Sequence, residues 1–301
     1  MTTLTIFSAP KPFTNPHIAT IQRNAICSWT NLGPQVEVIL LGEEEGLAEA
    51  AAELGVQHIP TVARNSNGTP LVSDMFALAR KHGKGRLLAC VNADILLMPD
   101  FVTGAIDAAK QAERFLLVGQ RWDLDVRDLL DFAPGWPDRL RERAQKEGKL
   151  HRASGSDYFI FPRDCFENMP AFAIGRAGWD NWMIYAGRRS GWPVIDGTPS
   201  IIIVHQNHDY SHLPGGQPHY KLPETHENVR LAGGKRTIFE LQDVDSRLVE
   251  GHLRPLPFSW PKFWREVEIF PLIRLKSMAL GQLFYAIFHP QKAYREFRQA
   301  K

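Results

Sequence analysis

The chain has 301 residues, of which 44% are hydrophobic and 23% charged, with a formal net charge of +2. That length can bury a substantial core, the balance is that of an ordinary globular protein, and the charge is too small for a nucleic-acid binder. The charge is unevenly placed: from Gly251 onward nine Lys/Arg face three Glu (+6), whereas the remainder holds 26 basic and 30 acidic residues (−4).

The first 120 residues alternate strand and helix patterns. Leu4 to Ser8 is a short apolar strand that ends in Ala9-Pro10-Lys11-Pro12. A helix follows over about Asn15 to Asn31, with Ile18, Ile21, Ala25 and Trp29 at helical spacing and Asn15-Pro16 as cap and first turn. Val36 to Leu41 is a continuous apolar run, as a buried parallel strand requires. Gly46 to Leu54 reads as helix, Val56 to Val62 as strand, and Ser73 to His82 as helix ended by Gly83. Arg86 to Val91 is another apolar strand, followed by a helix over Pro99 to Glu113 and a strand over Phe115 to Val118. This β-α-β-α order predicts an α/β fold with a Rossmann-like, mostly parallel sheet flanked by helices.

The second half is less regular. Ala133 to Arg152 is a polar helical or loop excursion, Ser156 to Phe161 is strand-like, Trp179 to Arg189 helix-like, and Ser200 to Val204 an apolar strand. His205 to Gly234, rich in Gly, Pro, His and Asn, reads as a long loop of the kind that often forms a lid. It holds five of the eleven histidines, His205, His208, His212, His219 and His226. No internal repeat or low-complexity segment is visible.

Ligands of open α/β sheets bind beyond the carboxyl ends of the strands, so the residues after each strand weigh most. Three such places stand out: Ser8-Ala9-Pro10, the polar loop Arg64-Asn65-Ser66-Asn67-Gly68 leading to the helix with Asp74, and Asn92-Ala93-Asp94. Asp94 ends an apolar strand and precedes Ile95-Leu96-Leu97. A carboxylate there is costly unless it is paired or binds something, for example a divalent cation with phosphate oxygens, although a loop cap or an arginine pair would also satisfy it.

The run Val91-Asn92-Ala93-Asp94-Ile95-Leu96-Leu97 resembles the aspartate-containing strand end of GT-A nucleotide-sugar glycosyltransferases, family 2-like, with Asn92 where that pattern has its first acid. The resemblance covers roughly residues 3 to 210. It implies a catalytic domain over 1–250, with a nucleotide-binding half (1–120) and an acceptor half (121–250), and a basic, aromatic helical extension over 251–301. It also implies a metal-diphosphate site at Asp94 holding Mn2+ or Mg2+, and a nucleotide pocket from Ser8, Ala9, Pro10, Arg64, Asn65, Gly68, Asp74, Asn92 and Ala93. In Gly178-Trp179-Asp180-Asn181-Trp182, Asp180 stands where inverting members keep a general base, and Trp179 and Trp182 would stack on sugars. His205 and His208 match a late histidine metal ligand, with His208 preferred; imidazole suits manganese or zinc better than magnesium. Asp157, in Ser154-Gly155-Ser156-Asp157-Tyr158, would hold a donor or acceptor hydroxyl. The partners implied are a nucleotide-sugar donor and a glycan or lipid-linked acceptor.

Each of these residues also has a plain structural reading: Asp180 and Asp157 as helix or turn caps, the tryptophans as core, the histidines as loop hydrogen-bonders. Cys27, Cys90 and Cys165 lie far apart in apolar contexts and read as small buried hydrophobes, not as a disulfide framework or zinc site. No secretion signal and no run of roughly 18 apolar residues is present, so a cytoplasmic setting is the expectation, with peripheral contact at the inner membrane face open to the basic, aromatic segment 254–301. Packing of that segment on the catalytic domain or in a homodimer is the other reading. The absence of GxxxxGK[ST], GxGxxG after a strand, GxSxG and HExxH argues against P-loop NTPases, dinucleotide oxidoreductases, α/β-hydrolases and zincins. Competing functions are a sugar-phosphate nucleotidyltransferase, a non-catalytic nucleotide- or carbohydrate-binding module, and a histidine-loop metal hydrolase.

Overall fold

A computed structural model describes residues 2–208 and 222–299. In chain order these form β1 (Leu4–Ser8), α1 (Pro16–Thr30), β2 (Val36–Leu41), α2 (Leu47–Glu53), β3 (Gln57–Ile59), α3 (Val72–His82), β4 (Leu87–Val91), β5 (Ile95–Leu97), α4 (Asp100–Gln111), β6 (Leu116–Val118) and β7 (Trp122–Leu124). There follow α5 (Trp136–Glu147), β8 (Lys149–Leu150), β9 (Tyr158–Pro162), α6 (Trp179–Ser190), β10 (Val194–Asp196), β11 (Ile203–Gln206), α7 (Pro223–Leu231), β12 (Ser246–Val249) and β13 (His252–Pro255). Three helices close the chain: α8 (Trp260–Ile273), α9 (Met278–Phe288) and α10 (Pro290–Gln299).

The expected α/β class is what forms. A nine-stranded sheet runs β13-β12-β10-β6-β9-β4-β1-β2-β3, parallel except where β9 enters between β4 and β6 and where β13 closes one edge. Alternate side chains of its strands divide between two cores: Phe7, Ile39, Leu88 and Cys90 on one face, Ile6, Leu40, Leu87 and Ala89 on the other. This is why the central strands read as unbroken apolar runs. Helix α1 starts as its sequence predicts, with the Asn15 side chain accepting from the amides of His17 and Ile18 and with Pro16 in the first turn. It buries Ile18, Ile21, Ala25 and Trp29.

A second, smaller sheet, β5-β11-β7-β8, has no counterpart in the sequence reading. Its strands have two to four residues, too short for a period to show. Two expectations are corrected by it. The strand expected over Ser200 to Val204 begins only at Ile203 and runs on through His205 and Gln206, because it pairs with β5 and β7 there. The long loop expected from His205 is therefore strand at its start, and Pro223–Leu231, with His226, is helix. His212 and His219 lie outside the described residues. The strand expected over Val56 to Val62 is limited to Gln57–Ile59.

The C-terminal helices are anchored at one end. Helix α8 buries Glu268, Ile269, Leu272 and Ile273, and salt bridges join Glu266 to Arg188 of α6 (2.7 Å) and Arg265 to Asp243 (2.7 Å). Helix α9 crosses α8 at Gly281, where an added Cβ would come within 2.2 Å of Leu272 Cδ2 and force that side chain to move. No helix among the described residues is long and apolar enough to cross a membrane.

Candidate functional site

A cleft of ≈ 670 Å³ opens beyond the carboxyl ends of β1 and β4, where the topology predicts a ligand site. The structure brings most of the sequence candidates to it. Ser8, Ala9, Pro10, Arg64, Gly68, Asn92, Ala93, Asp94, Asp157, Trp179, Asp180, His205 and His208 all line it. Asn65, Asp74 and Trp182 do not. Asn65 folds its own loop, accepting from the amides of Asn67 and Thr69 and donating to Glu224 (2.6 Å). Asp74 accepts from the Ala63 amide (2.7 Å), fastening the start of α3 to that loop. Trp182 packs edge-on against Phe172 (5.4 Å). Their types were legible in sequence, but which face each side chain takes is set by tertiary packing.

Asp94 sits in the turn from β4 to β5 and is 9% exposed. Its Oδ2 lies 3.0 Å from His208 Nε2, 4.0 Å from His205 Nε2 and 3.8 Å from Lys11 Nζ. Its Oδ1 is buried with no hydrogen-bond partner among the described residues. One ligand atom from each of Asp94, His205 and His208 falls within 4.8 Å of the others. Burial by itself would raise the Asp94 pKa, but the hydrogen bond with His208 and the charges of His205, Lys11 and His208 outweigh it and hold the carboxyl well below its usual range. Lys11, between two prolines after β1, also lies 3.1 Å from His208 Nε2. Burial depresses its ammonium, an effect that Asp94 only partly offsets.

Strand register builds the surroundings. In the small sheet His205 pairs with Asp123 on β7, setting Asp123 Oδ1 3.3 Å from His205 Nδ1 and leaving Nε2 toward Asp94. Asp123 also meets His151 Nδ1 (2.7 Å) and Arg121 (2.9 Å). Burial would raise the Asp123 pKa, yet His205, His151 and Arg121 together hold it low. In the main sheet Val91 pairs with Tyr158, so Asn92 and Asp157 meet one step further on, where Asn92 Nδ2 donates to Asp157 Oδ1 (2.9 Å). Arg121 donates to both Asp157 oxygens at 2.7 Å. Asn92 and Asp157 are thus tied to each other and to Arg121. The arrangement fits a divalent cation: a buried carboxylate with an oxygen that no described residue hydrogen-bonds, two imidazoles, and a carboxylate 3.3 Å behind one of them.

The opposite wall is the start of α6. Gly178 caps this helix at φ 110°, a conformation that favours glycine, and its amide donates to Asp180 Oδ1 (3.1 Å). Burial, helped by the Asp157 charge, pushes Asp180 up to about 6 against the hydrogen bonds from the Asn181 and Gly178 amides. Trp179 is 5% exposed and packs on Phe159 while edging the cleft. A salt bridge from Glu224 of α7 to Arg176 (2.7 Å), with Asn65 and Thr69 on the same carboxylate, ties this wall to the Arg64–Thr69 loop.

Lys11, Arg121, Asp123, His151 and Glu224 are the participants that sequence reading missed. For Lys11 the available signal was a cation in the turn directly after a buried strand; for Asp123, an acid inside a three-residue strand, nothing local distinguishes it.

No protein-family model matches the chain, and no curated protein matches it. Among solved structures it is similar to a mannosyltransferase of Pyrobaculum calidifontis in complex with GDP-Man and Mn2+, at 14% identity and TM-score 0.44, over 67% of this chain and 56% of that one. It is similar also to glucosyl-3-phosphoglycerate synthase of Mycobacterium tuberculosis in complex with Mn2+, UDP and glucosyl-3-phosphoglycerate, at 16% identity and TM-score 0.48, over 86% and 88% of the two chains. A third is GalNAc-T7 with UDP, GalNAc and Mn2+, at 15% identity and TM-score 0.47, over 77% of this chain and 48% of that one. The chain thus spans about half the length of the first and third of these. Similarities this distant leave the function to be read from the cleft itself.

Proposed function

We propose that the chain is a nucleotide-sugar glycosyltransferase that moves a sugar from a nucleoside-diphosphate donor to a hydroxyl acceptor with inversion. One observation carries this reading: a single cleft holds a cation-ligand cluster with a lysine beside it on one wall and a carboxylate of raised pKa on the other. Asp94, His205 and His208 would hold Mn2+ or Mg2+, which when bound neutralises charge on a leaving diphosphate. Lys11, already at Asp94, donates to the diphosphate oxygens, and the Ser8–Pro10 turn, Arg64, Gly68, Asn92 and Ala93 line the nucleotide's place. Asn65 and Asp74 support that place from behind, by shaping the loop.

Asp180 accepts the proton of the acceptor hydroxyl as its oxygen bonds to the anomeric carbon. The bond from that carbon to the diphosphate oxygen breaks, and its electron pair leaves with the nucleoside diphosphate. A pKa near 6 leaves the base ionised at neutral pH yet basic enough to take the proton. Attack from the side opposite the leaving group inverts the centre. Trp179, packed on Phe159, supports the acceptor wall from the core, and Asp157, occupied by Arg121 and Asn92, shapes the floor between the two walls.

The test is turnover of UDP-, GDP-, CDP- and dTDP-sugars with Mn2+, followed as released nucleoside diphosphate with water or an added glycan as acceptor. Turnover of one donor that disappears in Asp94→Ala and in Asp180→Ala is expected. No turnover of any donor, or turnover indifferent to both substitutions, overturns the reading.

A further inference from the structure

Of the fourteen large hydrophobic side chains exposed among the described residues, twelve lie between Phe258 and Phe297. They are not scattered. Phe258, Trp260, Phe263 and Trp264 touch ring to ring at 5.1–6.4 Å, and Trp264 reaches Phe288 of α9 at 6.2 Å, which makes one aromatic surface across two helices. Helix α9, Met-Ala-Leu-Gly-Gln-Leu-Phe-Tyr-Ala-Ile-Phe, has no charged residue and buries only Gly281, leaving Leu283 and Ile287 53% and 63% exposed. Contiguous exposed surface of this kind marks a place where something docks.

The charges say what. The three acids of the segment face inward: Glu266 on Arg188, Glu268 on Arg265, Glu296 on Arg236. Five cations, Arg274, Lys276, Lys292, Arg295 and Arg298, are exposed. A second copy of the same surface would bring like charges together, whereas anionic lipid headgroups answer both the cations and the aromatic rings. Eleven helical residues span about 16 Å, half the roughly 30 Å of a bilayer's hydrocarbon, so α9 is sized to lie in the interface and not to cross it.

We propose that α8, α9 and the intervening and following basic residues dock this protein on the surface of an anionic bilayer, with the aromatic and aliphatic side chains at headgroup depth. The proposal stands whether or not the cleft transfers sugar. Together with the transferase reading, it would point to an acceptor presented at a membrane.

The experiment is co-sedimentation of the full chain with vesicles of phosphatidylglycerol and phosphatidylcholine, against vesicles of phosphatidylcholine alone. Binding to the anionic vesicles only, reversed by salt, is expected. Each exposed cation contributes about five-fold, so Lys276→Glu, Lys292→Glu and Arg295→Glu combined should weaken binding at least about a hundredfold. Leu283→Ser with Ile287→Ser, at exposed positions, should abolish binding while circular dichroism and the melting temperature hold. Absence of binding to both vesicle types overturns the proposal, as does equal binding to both. A concentration-dependent dimer that Leu283→Ser and Ile287→Ser dissolve, with no vesicle binding, would also overturn it and make a second copy the occupant.

Discussion

The two walls of the cleft each carry a carboxylate, buried at Asp94 and half-buried at Asp180, and the fold treats them oppositely. Asp94 lies among Lys11, His205 and His208 and is held ionised far below its usual range, whereas Asp180, at the start of α6, is pushed up to about 6 by burial and the Asp157 charge against its amide donors. Both are desolvated. What separates them is the sign of the charge that the surrounding elements supply. A carboxylate kept ionised by cations is suited to bind positive charge, and one kept basic by burial is suited to take a proton. Displacement in opposite directions within one site is how acid–base roles are assigned to like residues.

The comparison is most severely broken at Asp94. Asp94→Ala should abolish metal-dependent nucleotide binding and lower turnover by roughly 10³–10⁵, the equivalent of several kcal/mol of charge stabilisation. Titration calorimetry with Mn2+ and the right nucleoside diphosphate checks the binding, and steady-state assay the rate. Asp180→Asn should cut kcat by roughly 10²–10⁴ while Mn2+ and nucleotide affinities stay within about twofold, since a base acts after binding. In the wild type kcat/KM should rise with pH through about 6 and level off, and the variant should lack that limb.

Stability should move the other way at Asp180. A folded-state pKa of about 6 against an ordinary 3.8 means that the ionised group opposes folding at pH 7, by up to about 3 kcal/mol. Asp180→Asn should therefore be the more stable protein at pH 7, with the advantage shrinking as pH falls through 6 and gone below about 4. Urea denaturation at pH 7 and pH 4 measures this. Smaller effects sharpen the other wall. Asp123→Asn, which removes the carboxylate behind His205, should weaken Mn2+ binding roughly 10–100-fold with the fold intact. Lys11→Met should weaken nucleoside diphosphate binding roughly tenfold, the worth of a charge-assisted hydrogen bond. Without nucleotide, it should tighten Mn2+ binding by removing the cation that competes for Asp94.

How much of this was legible in the sequence follows from the length of the elements. Runs such as Val36–Leu41 and the capped helix after Asn15 show their period and their ends, and the parallel sheet follows from their order. Asp94 was legible as a carboxylate that ends an apolar strand, and Asp180, His205 and His208 through the resemblance of their segments to GT-A enzymes. The small sheet was not, since β5, β7 and β11 are short and acquire their pairing only in three dimensions. With it went Asp123, whose place beside His205 depends on register and on no local pattern. Trp182 shows the converse error: a tryptophan two residues from Asp180 turns to Phe172 instead of the cleft, and helical spacing alone does not say which way.

The central claim, that the Asp94 cluster holds a metal for a nucleoside diphosphate, is tested most directly by thermal unfolding with UDP, GDP, CDP and dTDP, each with Mn2+ and with chelator. One base with Mn2+, at about a hundred times its Kd, should stabilise the fold by about 2.7 kcal/mol and raise Tm by several degrees. Chelator should erase the shift, and Asp94→Ala should not show it. No shift with any nucleotide, or a shift unchanged by chelator and by Asp94→Ala, would contradict the account.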